Sequence, residues 1–97
     1  MVSFMTKSIV CDYTDHCFLC GSYRNIEIHH IMGGGNRKLS DYYGLTVPLC
    51  RSCHNEPPTG AHFNRETMDY LRSVGQEAFE RKYSYEEWMR LFGRSYR

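Results

Sequence analysis

Leu45-Thr46-Val47-Pro48-Leu49-Cys50-Arg51-Ser52-Cys53-His54 joins a strand, a metal knuckle and a histidine in one run. Its first five residues are apolar and β-branched enough for a strand. Pro48 lacks the N–H a ladder needs, which confines that strand to a sheet edge or a strand end. Cys50 and Cys53 then place two thiols a short turn apart. A matching pair stands upstream at Cys17-Phe18-Leu19-Cys20, with Gly21 behind it to let the backbone turn. Two such knuckles read as a four-thiolate zinc site, each giving two sulfurs at about 2.3 Å from one tetrahedral ion. A redox CxxC would want a βαβ context, which is not visible. Cys11, the fifth cysteine, is left as a free thiol.

Working outward, Ile26-Glu27-Ile28-His29-His30-Ile31-Met32 predicts a second strand within residues 25–32. Gly33-Gly34-Gly35-Asn36-Arg37-Lys38 after it reads as a loop. The two strands make a hairpin with a long connection, pinned at its base by zinc. Upstream lies a loose N-terminal arm, residues 1–16, with a short strand expected at Ser8-Ile9-Val10-Cys11. Everything after Phe63 looks helical. Asn64 is an N-cap, and Met68, Leu71 and Val74 recur at helical spacing until Gly75 interrupts them. Gln76 to Tyr83 reads as a second short helix carrying Phe79 and Tyr83. Ser84-Tyr85-Glu86-Glu87 is a capping box opening a last helix, with Trp88, Leu91 and Phe92 on one side and Gly93 as its stop. These aromatic residues read as core packing over the hairpin. The expected fold class is therefore α+β: one domain, with a metal core at residues 17–63 and a helical cover at 64–97.

The chain has 97 residues, 41% hydrophobic and 24% charged, without repeats or low-complexity runs. A chain this short buries only about 65% of its unfolded surface, so a staple matters. Structural zinc supplies on the order of 10 kcal/mol of folding free energy. Twelve Lys and Arg face eleven Asp and Glu, a net charge of +1, so charge alone does not announce a nucleic-acid binder. No segment approaches the roughly 18 apolar residues of a membrane span, and the start lacks the apolar core of a signal peptide. A cytoplasmic location, with no membrane partner, is the expectation.

Four of the five histidines, His29, His30, His54 and His62, share the stretch that holds the knuckles; His16 reads as incidental. With the cysteines saturating one zinc, these histidines are free to hold a second divalent ion. Neutral imidazoles bind a metal through one ring nitrogen and leave the other to an orienting acceptor. A site open to water and substrate needs only two or three protein ligands. Adjacent histidines then make chemical sense: one holds the ion while its neighbour takes a proton from water. Glu27 shares the strand face of His29 and is placed to orient a metal-bound ring. Arg37, Lys38 and Arg51 read equally well as phosphate contacts and as solvated cations.

CFLC, EIHHIMGGGN and LTVPLCRSCHN, in that order across residues 17–63, resemble the HNH endonucleases. The likeness is to their four-cysteine branch, common among small phage and prophage proteins. It implies a ββα-metal core, a hairpin and a helix wrapped around one divalent ion, and an enzyme that hydrolyses DNA phosphodiester bonds. It also implies His29 and His54 as ligands of that ion, Mg2+ or another divalent metal, and His30 as the general base. DNA is the implied partner, phage proteins are further ones, and the host cytoplasm is the implied location. Two positions depart from the family pattern. No asparagine precedes the second strand to help fix the base, and a backbone carbonyl from the facing strand is expected in its place. Proline stands at position 58, where many relatives carry a ligand one helical turn after the first, so His62 is expected to fold back as the third ligand. The rival reading from another class is a non-catalytic zinc module that binds DNA or a protein. A further one is a structural histidine cluster around a second zinc.

Overall fold

A computed structural model describes residues 7–97, so the first six residues of the expected arm lie outside the described residues. Among the described residues the fold is α+β, with one two-stranded antiparallel sheet and four α-helices. Strand β1 (Ile26–His30) pairs with β2 (Thr46–Cys50), Ile28 opposite Pro48 and His29 opposite Val47. In a two-stranded sheet every strand is an edge, which satisfies Pro48; its carbonyl accepts from the Phe18 N–H at 2.8 Å. The pairing thus docks the first knuckle onto the strand that carries the second.

The connection between the strands is not the open loop read from its glycines. A 3-10 turn (Gly34–Asn36) leads into helix α1 (Arg37–Tyr43), so Arg37 and Lys38 begin a helix. Ser40 holds that helix to the exit of β1: its buried hydroxyl accepts from the Met32 N–H at 2.9 Å and donates to the Met32 carbonyl at 2.7 Å. Gly44 ends α1 in a left-handed conformation, φ 72°, and a Cβ there would collide with the Lys7 carbonyl. The strand expected at Ser8–Cys11 is also absent. The Ser8 hydroxyl accepts from the N–H groups of Val10 and Cys11, a local turn that competes with a ladder, and only Ile9 reaches the Gly44 carbonyl.

After β2 the chain enters α2 (Arg51–Asn55), passes a 3-10 turn (Ala61–Phe63), and runs through α3 (Arg65–Lys82) and α4 (Tyr85–Phe92). Helix α3 is continuous where two helices were expected. Gly75 does not break it; a Cβ there would meet Ile31 side-chain atoms at 3.0 and 3.1 Å, so the glycine lets α3 lie close against the chain leaving β1. The caps read from the sequence form as expected: Asn64 accepts from the Thr67 N–H, Ser84 from the Glu87 N–H, and Gly93 stops α4 at φ 73°. Trp88, Phe79, Leu71, Ile31, Leu45, Val47 and Leu49 are fully buried and form the shared core of hairpin and helices. The C-terminal tail folds back over it. The Trp88 indole donates to the Arg94 carbonyl at 2.8 Å, and buried Gln76 accepts from the Tyr96 N–H at 2.7 Å. Among the described residues no helix is long and apolar enough to cross a membrane.

Candidate metal centres

The four cysteines converge as their spacing requires. Cys17 and Cys20 face each other across a turn closed by the Gly21 N–H on the Cys17 carbonyl, with Gly21 at φ 81°. Cys50 ends β2 and Cys53 lies in the first turn of α2. All four sulfurs lie within 4.8 Å of one another, and Cys20 Sγ is 3.6 Å from Cys50 Sγ. A tetrahedron with arms of about 2.3 Å has edges of roughly 3.8 Å, so the cage is already near zinc dimensions. Burial works against a charged thiol, yet N–H donors from Cys50, Cys20 and Leu19 bring Cys17 down to about 6. Burial and the neighbouring thiols push Cys53 well up. Crowded sulfurs that cannot all ionise by themselves are what a dication resolves.

The second cluster is built from three elements. His29 comes from β1, His54 from α2, and His62 from the 3-10 turn after it. Gly60 returns His62 to the site: its N–H bonds the Glu56 carbonyl at 2.7 Å, and a Cβ there would strike the backbone of Glu56. The ligand nitrogens of the three rings lie within 4.8 Å of one another, and the Nε2 atoms of His54 and His62 are 3.1 Å apart. His54 Nδ1 donates to Glu27 Oε1 at 2.8 Å, which turns its Nε2 lone pair toward His62. His29 is 1% exposed, and neither of its ring nitrogens has a hydrogen-bond partner. A buried polar group without a partner is costly, and a cation beside it removes that cost. Burial first, then the neighbouring His54 and His62, hold His29 down at about 3; burial also lowers His62. Neutral rings are what a metal needs. Three imidazoles with no carboxylate suit zinc, nickel or a similar transition ion, and they fit the Mg2+ named among the expectations poorly.

His30 sits apart from this trio but opens onto the same cleft. It lines a cavity of about 230 Å³ with Ile28, Gly33, Gly34, Arg37, His54 and His62. Its Nε2 donates to Asp41 Oδ1 at 2.7 Å, which leaves Nδ1 with the lone pair. Asp41, on α1, therefore holds the ring where a backbone carbonyl was expected. Sequence reasoning missed it because α1 itself was hidden; the Leu39–Tyr43 spacing behind the glycines was the available signal. His16 stays outside both clusters, bonded to Asp15 at 2.7 Å and stacked on Tyr13. No family model, curated protein or solved structure matches this chain, so the site rests on its own geometry.

Proposed function

We propose that the protein is a metal-dependent endonuclease of HNH type, hydrolysing phosphodiester bonds in DNA. The observation that carries this reading is His29, buried with both nitrogens unpartnered beside His54 and His62, while a second histidine with its own carboxylate lines the adjoining cleft. A structural cluster accounts for the first feature and leaves the second idle. The order β1, connection, β2, α2 is also what a ββα-metal core requires, with α2 bringing His54 against β1.

His29, His54 and His62 would hold the divalent ion, and Glu27 fixes the tautomer of His54. When bound, the ion supplies positive charge against the phosphate and its leaving oxygen. His30 accepts a proton from water through Nδ1, with Asp41 steadying the ring and balancing the charge that the ring gains. Arg37, on the wall of the same cleft, offers a planar donor fork to a phosphate. The test is incubation of zinc-loaded protein with supercoiled plasmid, with and without added Zn2+, Ni2+, Mn2+ or Mg2+. Nicked or linear product that depends on the ion supports the reading; intact plasmid under every ion rejects it.

A further inference from the structure

Charge pairing in this protein is segregated. From residue 65 onward every arginine and lysine is engaged: Arg65, Arg72, Arg81, Arg90 and Arg97 pair with carboxylates, and Lys82 and Arg94 lie over tyrosine rings. Lys7, Arg24, Arg37, Lys38 and Arg51 make no ion pair among the described residues, and all of them precede Ser52. Two of these free cations share one cavity. Arg24 and Arg51 line a depression of about 240 Å³ with Ser22, Asn25, Cys50, Ser52 and Glu56, on the flank of the second knuckle.

We infer that this depression is a phosphate-binding site, separate from the histidine cleft, which holds a neighbouring phosphate of the nucleic-acid strand. Its donors outnumber its acceptors. Arg24, Arg51, Asn25 and Ser22 are among its lining residues, and the one carboxylate there, Glu56, already accepts from Ser52 at 2.9 Å. Asn25 sits at φ 52°, a left-handed residue that carries the chain from Arg24 into β1.

Position ties the site to the histidine cleft. Arg51 and His54 are three residues apart on α2, so they are neighbours on one helix face. Glu27, on the paired strand, bonds His54 at 2.8 Å. A strand whose phosphate meets His54 and Arg37 would pass Arg51 and Arg24 as it leaves the cleft. The inference rests on the nuclease reading for the identity of the strand, but the cavity's affinity for phosphate does not depend on cleavage.

The test has two arms. In amide spectra of the zinc-loaded protein, inorganic phosphate should shift Ser22, Arg24, Asn25, Arg51 and Ser52. The double variant R24Q/R51Q, with unchanged zinc content and melting temperature, should lose those shifts. Shifts that persist in the variant, or fall only on the histidine cluster, overturn the site. For duplex DNA, the log–log dependence of affinity on salt should flatten by about two in R24Q/R51Q, close to 0.9 for each lost contact. KM for cleavage should rise about tenfold or more with kcat within roughly twofold, because neither arginine touches the reacting atoms. R65Q/R81Q, which removes two cations already paired on α3, should change neither quantity. A salt slope that R24Q/R51Q leaves unmoved overturns the site even if the protein cuts DNA. A parent that leaves DNA intact yet keeps arginine-dependent phosphate shifts rejects the nuclease reading and leaves the phosphate site standing.

Discussion

His29 and His30 are consecutive, yet the fold gives them opposite circumstances. His29 is sealed among other imidazoles with no acceptor for either nitrogen, while His30 opens to the cleft and leans on Asp41. Substitution should separate them. His30→Ala should fold, keep both metals and still bind DNA, yet cut it slower by about 10²-fold or more, the usual scale for losing a general base. Plasmid nicking rates with metal analysis check this, and parental speed in His30→Ala would dismiss the base assignment. Asp41→Ala should slow cleavage in the same direction by a smaller factor, with KM unchanged, because it loosens the ring without removing it. His29→Ala and His54→Ala should instead weaken binding of the second ion, measured by calorimetry with Ni2+ or Zn2+, and part of the activity should return at high metal concentration. Acid adds an independent check. His29 titrates at about 3 in the folded chain against 6.5 when unfolded, so between those values the unfolded state binds the extra proton. Stability must therefore fall as pH drops from 6.5 toward 3, with a limiting slope of about 1.4 kcal/mol per pH unit from this one group. His29→Leu should flatten that slope in urea titrations at stepped pH.

At the level of elements, legibility followed the locality of the signal. The knuckles, the Asn64 and Ser84 caps and the Gly93 stop are decided by residues within a turn of one another, and all of them form. Helix α1 was illegible because its start is masked by three glycines and its anchor, the Ser40 hydroxyl on Met32, is a tertiary contact. With α1 hidden, Asp41 could not be connected to His30. Gly75 misled for a related reason: alone in a helical pattern it reads as a break, whereas its role is set by Ile31, distant in sequence. His62 was legible by residue type, but its delivery depends on the backbone approach at Gly60. The Gly75 contact is testable. Gly75→Leu should destabilise by about 1–3 kcal/mol through overpacking against Ile31, despite leucine's better helix propensity. Urea unfolding measures it, and an unchanged midpoint would mean that α3 has room to withdraw.

For the molecule as a whole, the four cysteines lie close enough for one zinc to tie the first knuckle to the hairpin. Cys17→Ser or Cys53→Ser should lose one zinc and most of the cooperative melting transition, because a shared ion would join the first knuckle to the residues that end β2 and open α2. Elemental analysis and thermal melts decide it, and a variant retaining both zinc and melting temperature would refute the structural role. The adjacency of Cys53 and His54 reaches further than stability. One short helix, α2, contributes to both clusters, so a zinc in the cage fixes the helix whose next residue belongs to the other. Filling the first site removes the conformational entropy that the second would otherwise have to overcome. Occupancy should therefore be ordered and positively cooperative, the histidine site acquiring its full affinity only after the cysteine site is loaded. By the reciprocity of linkage, an ion among the histidines should raise the affinity of the cysteines for zinc by the same factor. Two clusters that look independent in composition would then behave as a single ordered uptake, and a zinc-starved cell would make a chain with neither site competent.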